Sequence, residues 1–139
     1  MKKKPYLIFL IFLVLNLIPH AYVALTTSKG LLNWYITDDA FYYFKVAQNI
    51  SLGRGITFDG IAPTNGFHPL WMLVCIPIFA LARLDLYLPL RLLIIVQAIL
   101  NAGSGYFLYR LFSDHISEKA GWILAFCWMF IPSIHAISS

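Results

Sequence analysis

The chain reads YLIFLIFLVLNLIPHAYVAL from Tyr6 to Leu25. The run carries no formal charge over about 20 residues, the length a helix needs to cross the hydrocarbon core of a bilayer. It is read as a transmembrane helix. A cleaved signal peptide is the competing reading, because Lys2, Lys3 and Lys4 precede the apolar stretch as a positive n-region would. Cleavage after Ala24 would put Tyr22 at the third position before the cut, and cleavage after Ala21 would put Pro19 there. Neither is the small residue that such a site takes, so the helix is kept as an anchor. The three lysines place the N-terminus in the cytoplasm and the following segment outside.

Composition supports a lipid-solvated chain. Of 139 residues 60% are hydrophobic and 12% charged, against about 45–50% and about 25% in soluble domains. With aromatics at 17% and mean hydropathy +0.76, there is too little polar surface to cover a soluble core. Disorder, which needs low hydrophobicity and high charge, is excluded by the same numbers. The net charge is +4, but three of the ten cations are Lys2 to Lys4 and the other seven face six carboxylates. Such a terminal patch signals topology rather than nucleic-acid binding. Cys75 and Cys127 both lie in apolar runs without a second ligand at metal spacing and are read as small core residues.

Outward from the first run, the expected architecture is an all-α membrane protein with about four transmembrane helices. Residues 1–5 form a cytoplasmic tail and 6–25 the first span. Residues 26–69 are an extracytoplasmic loop, mixed in polar, Gly and aromatic residues. Within it, Thr37 or Asp38 is a good N-cap, Tyr43, Val46, Ala47 and Ile50 have helical spacing, and Gly53 supplies a stop, which predicts a juxtamembrane helix over 38–52. Tyr35, Phe41, Tyr42, Tyr43 and Phe44 read as an aromatic belt at headgroup depth. Gly53, Gly55, Gly60, Pro63 and Gly66 then punctuate a turning loop.

A short membrane helix is expected over 70–84, holding Pro77, and a long one over 86–112, where Gly103-Ser104-Gly105 lets a neighbour approach. A turn over 113–120 leads to a last span over 121–139, which ends without a polar flank and is expected to be truncated within a longer protein. Strict alternation puts the Arg83 to Arg91 turn inside and the Arg110 to Lys119 turn outside. Each carries two cations, so charge bias does not choose between them. A re-entrant second run would invert everything after it.

The chemistry concentrates between Thr37 and Trp71, TDDAFYYFKVAQNISLGRGITFDGIAPTNGFHPLW. Asp38 and Asp39 have two readings. One is a helix cap with a first-turn acid. The other is a pair of carboxylates at headgroup level that bind a divalent cation, Mg or Mn, or take a proton from an acceptor. The string resembles the first extracytoplasmic loop of polytopic glycosyltransferases of the GT-C superfamily, which includes protein O-mannosyltransferases, the lipid A aminoarabinose transferase and oligosaccharyltransferase catalytic subunits. There an acidic pair after the first span is followed by an aromatic juxtamembrane helix.

The resemblance implies that Asp38 is the principal active-site carboxylate and that Asp39 supports it. It also implies a polyprenyl-phosphate-linked sugar donor and a glycan, lipid or protein acceptor, in a multi-pass protein of the cell membrane, the inner membrane in a bacterium. In NGFHPLW, Asn65 to Trp71, the pair His68-Pro69 stands where the aminoarabinose transferases carry Lys-Pro against the lipid phosphate. This match is looser, because His68 is cationic only when protonated. An interfacial histidine holding its loop is the other reading.

Lys45 and Arg54 are further candidates to neutralise phosphate, set against a role as snorkelling cations. Asp59 reads as a turn residue. Asn49-Ile50-Ser51 fits the N-glycosylation pattern on the predicted helix. Arg91 and Gln97 fall inside the third run, His115 and Glu118 in a solvated turn, and His135 is given no role. The expected function is therefore transfer of a hexosyl or pentosyl unit from a lipid-linked donor, inactive in the 139 residues alone. The alternatives are a non-enzymatic small polytopic protein of transport or assembly, whose aspartates only cap a helix, and a protein that binds lipid-linked sugar without transferring it.

Overall fold

The structure, a computed structural model, describes residues 5–27, 29–30, 32, 38–81, 85 and 87–131. The expected cap at Thr37, the ring of Tyr35, the cation Arg83 and the terminal stretch 132–139 with His135 lie outside the described residues, as does the side chain of Asp38. Among the described residues the fold is all-helical, with one isolated bridge between Thr57 and Pro63 and no strand. The helices are α1 (Pro5–Leu25), α2 (Asp38–Ser51), α3 (Pro69–Leu81), α4 (Leu88–His115) and α5 (Glu118–Met129). Two of them, α1 and α4, are long and apolar enough to cross a membrane.

The chain divides into two compact units. One joins α1 to α4 from Ile94 onward and to α5; the other runs from Thr26 to Leu93. In the first unit a core of Ile8, Phe12, Ala102, Tyr109, Ala125 and Met129 is buried. Phe12 meets Tyr109, Trp122 and Phe126 edge-on at ring separations of 6.1, 5.3 and 6.0 Å, the T-shaped geometry that aromatic quadrupoles favour. Small residues set how closely the helices approach. A Cβ on Gly105 would stand 3.0 Å from Met129, and one on Gly121 would collide with Ser113 Oγ and lie 2.7 Å from the Tyr109 carbonyl oxygen. Of the Gly103-Ser104-Gly105 trio, Gly105 meets a neighbouring helix, whereas a Cβ on Gly103 would meet open space.

Three polar side chains sit inside this apolar unit. Asn101 Nδ2 on α4 donates to Asn16 Oδ1 on α1 at 2.8 Å. Asn16 Nδ2 donates to the Phe12 carbonyl and lies 3.1 Å from Met129 Sδ. His20 is fully buried, with Nδ1 2.7 Å from the Asn16 carbonyl oxygen; a carbonyl only accepts, so Nδ1 carries the proton in this bond. Apolar surroundings leave such groups no water to fall back on, so Asn101 bonds to the Asn16 amide and His20 to the backbone of α1.

The turn after α4 is narrower than the expected 113–120. Residues Ser113 to His115 continue the helix, and Ile116 and Ser117 suffice because Ser117 caps α5, its Oγ accepting from the Ala120 N–H at 3.2 Å. His115 and Glu118 are exposed helix ends flanking that turn. Cys75 is buried and Cys127 exposed, both free; Cys127 is thus not a core residue.

In the second unit α2 packs on α3. The face of α2 formed by Ala40, Tyr43, Phe44 and Ala47 is buried, and the ring of Phe44 meets Phe79 of α3 at 5.6 Å. This changes the expected aromatic belt. Tyr43 and Phe44 are buried within the unit, while Phe41 is exposed. Helix α2 ends at Ser51 because Gly53, at φ +76°, reverses the chain. The N–H of Arg54 then reaches the Asn49 carbonyl at 2.9 Å and that of Gly53 the Ile50 carbonyl at 3.0 Å, the paired bonds of a Schellman cap. At the start of α4, Asp85 Oδ1 accepts from the N–H groups of Tyr87 and Leu88, and Arg91 Nη2 donates to the Thr26 carbonyl.

Candidate functional site

Asp38 is the first residue of α2, and Asp39 follows it with an exposed side chain. Carboxylates in a first turn face the positive end of the helix dipole and favour the helix. Four residues on, and so on the same side of α2, stands Tyr43. Its buried hydroxyl accepts the His68 backbone N–H at 3.1 Å, and its ring lies 6.3 Å from the His68 imidazole at 20°. His68 immediately precedes Pro69, the first residue of α3, where proline removes an N–H that had no intrahelical partner. The His68 carbonyl accepts from Met72 at 3.0 Å. His68 therefore does two things. Its backbone starts α3 and ties it to α2, and its imidazole remains exposed.

The loop between the two helices is fastened to α2 by side chains that the sequence reading assigned to helix spacing, to an aromatic belt or to a glycosylation pattern. Asn49 is buried, and its Nδ2 donates to the carbonyls of Thr57 and Phe58 at 3.0 and 2.9 Å. Both amide hydrogens are committed, so in this fold Asn49 is a latch and not a sugar acceptor. Tyr42, two turns earlier on the same face, shares a hydrogen bond with the Thr64 hydroxyl and stacks on Phe58 at 5.3 Å and 14°. The Thr64 N–H reaches the Ile56 carbonyl at 2.9 Å, beside the Thr57 and Pro63 bridge.

Asp59 closes the tip. Its Oδ1 accepts from the N–H groups of Ile61 and Ala62 at 2.8 and 3.0 Å, and these bonds hold its carboxyl below the ordinary value of 3.8. No family model, curated protein or solved structure matches this chain.

Tyr43, one turn beyond Asp39 on α2, bonds the backbone of His68, and the two cations take no part in that bond. Lys45 is exposed, its Nζ 3.4 Å from Gln48 Oε1 on its own helix. Arg54 is exposed beyond the end of α2. Among the described residues no three His, Cys, Asp or Glu side chains converge, and the side chain of Asp38 lies outside them.

From sequence, Tyr42 and Tyr43 are visible as belt rings and Asn49 as part of a glycosylation pattern, but not as the groups that fasten the loop, and their partner Thr64 is missed altogether. One signal for them was present. Tyr42 and Asn49 are seven apart, two turns of one helix face, followed by a Gly-rich segment that needs polar partners.

Proposed function

We propose that this chain belongs to an integral-membrane glycosyltransferase that takes a sugar from a polyprenyl-phosphate donor on the extracytoplasmic side. A lipid-linked sugar presents its scissile bond at headgroup depth, with the tail in hydrocarbon and the phosphate in water. An enzyme that uses it needs a carboxylate and phosphate-binding donors at that depth. The observation that carries the reading is that Asp38 and Asp39 open α2 and that the Tyr43 hydroxyl, one turn beyond Asp39, accepts the backbone N–H of His68.

In this reading Asp38, supported by Asp39, takes the proton of the acceptor hydroxyl. The acceptor oxygen bonds to the anomeric carbon, the bond from that carbon to the phosphate oxygen breaks, and the phosphate leaves with the electron pair. Its negative charge is met by donors around His68, with Lys45 and Arg54 as further cations. A single displacement inverts the anomeric configuration. The test is Asp38→Asn, alongside Asp39→Asn, in the full-length protein at equal membrane insertion. Transfer from lipid-linked donor falls by about 100-fold or more for Asp38→Asn if the carboxylate is the base. Unchanged transfer overturns the assignment and leaves the aspartates as helix-capping groups.

A further inference from the structure

The path of the chain across the membrane is open in the sequence and can be argued from the packing of the first unit. Helix α1 meets α4 at Asn16 with Asn101, at Phe12 with Gly105 and at Phe9 with Tyr106. As α1 is followed backwards from residue 16 to 9, α4 advances from 101 to 106, so the two helices are antiparallel. Helix α5 gives an independent check. It runs parallel to α1, with Phe12 on Trp122 and Asn16 on Met129, and antiparallel to α4, with Gly121 on Tyr109 and Ser113 and Gly105 on Met129. The three directions agree.

Parity then constrains the intervening segment. Two antiparallel spans joined by one segment require that segment to start and finish on the same side, and a single crossing by α3 would make them parallel. The length of α3 agrees. Its 13 residues reach about 20 Å, short of a hydrocarbon core of about 30 Å. Charge sets the orientation of the pair. Lys2, Lys3 and Lys4 precede α1 in the sequence, and a cluster of cations before the first span marks its cytoplasmic end.

We infer that the whole of Thr26 to Tyr87 lies on the extracytoplasmic side, that α3 rests in the membrane interface there without crossing, and that its exposed leucines face the lipid of that leaflet. Leu70, Leu73 and Leu81 of α3 are 81%, 67% and 82% exposed, and Ile61 of the preceding loop is 86% exposed. Apolar side chains this exposed meet the boundary of headgroups and acyl chains. The loop that displays Ile61 is fixed by Asn49, Tyr42 and Asp59. The inference rests on α1 and α4 both spanning and not on the chemistry of Asp38, so it stands or falls apart from the glycosyltransferase reading.

The test is single-cysteine labelling with a membrane-impermeant maleimide in vesicles of defined sidedness, using the full-length protein with Cys75 and Cys127 replaced by alanine. The positions are Arg54→Cys, Tyr87→Cys and Ile116→Cys. The expected result is that 54 and 87 react from the extracytoplasmic side and 116 from the cytoplasmic side. Reaction of 87 from the cytoplasmic side, or of 116 from outside, overturns the topology. Labelling on the wild-type background, with the unsubstituted chain subtracted, gives the same readout if the cysteine-free chain does not fold. A spin label on Leu73→Cys is expected to relax with oxygen and to be shielded from a water-soluble nickel chelate. Relaxation by the chelate overturns the lipid contact.

Discussion

The two units are held together by different means. The first relies on side chains meeting across helices: rings stacked edge-on around Phe12, glycines that admit a neighbour, and a buried bond between Asn16 and Asn101. In the second, one helix organises a loop. Side chains of α2 satisfy carbonyls, a hydroxyl and an N–H of a segment that has no regular structure of its own. The first kind of packing is dense and unforgiving of added volume. The second is a set of separate bonds, each removable with a local effect. The candidate site is in the second unit, so its geometry depends on a few polar contacts more than on the apolar mass of the helices.

That contrast is most sharply tested by one added methyl group. Gly121→Ala would push a Cβ against Ser113 Oγ and the Tyr109 carbonyl, and is expected to cost about 3 kcal/mol of stability in the first unit. Thermal unfolding in detergent would show the loss, while amide exchange over 55–64 would stay as in the parent. Loosening of the loop by this change would show that the two kinds of packing are not separable.

A smaller effect is expected from the reverse experiment. Asn49→Ala removes both bonds to the Thr57 and Phe58 carbonyls, at about 2 kcal/mol for the pair. Amide exchange of Thr57 and Thr64, whose N–H groups bond within the loop, should quicken, and α4 and α5 should be unaffected. Unchanged exchange at Thr64 would mean that Tyr42 alone holds the loop.

These residues also show what was legible from sequence. Helix α1 follows from an uncharged apolar run, and the stop of α2 from Gly53, because a left-handed cap is a local demand that glycine meets. The turning of the segment after Gly53 is legible too, with Asp59 as its turn residue. What periodicity could not give was the partner of each polar group. Tyr43 looks identical as a lipid-facing ring and as the hydroxyl that receives the His68 N–H, and Asn49 looks identical as a glycosylation acceptor and as a latch. The polar trio of Asn16, His20 and Asn101 was hidden similarly, since an uncharged run was read for its length and its isolated polar residues were not paired across 85 positions. Such pairings are long-range facts.

Tyr43→Phe isolates the link between α2 and His68, at about 1 kcal/mol, because it deletes the hydroxyl and keeps the ring that lies on the imidazole. In the glycosyltransferase reading, transfer should fall while the loop bonds of Asn49 persist. Full transfer with the link removed would show that the His68 backbone need not be held against α2 for the reaction.

The smallest effect concerns Asp59 and depends on pH. Its carboxylate is fully exposed and accepts two backbone N–H bonds, which hold its pKa below 3.8 in the folded loop. A lowered folded value means that the stabilisation is complete above 3.8 and is lost as pH falls through the folded value. Exchange of the Ile61 and Ala62 amides, relative to their intrinsic rates, should therefore be flat from neutral pH down to about 4 and quicken only in more acid solution. Asp59→Ala should show the faster exchange at every pH. The Asn49 side chain is an amide with no acid to protonate, so exchange at Thr64 should not follow the same acid transition. If Thr64 does follow it, the tip and the base of the loop open together, and the second unit is a cooperative structure rather than a series of separate bonds.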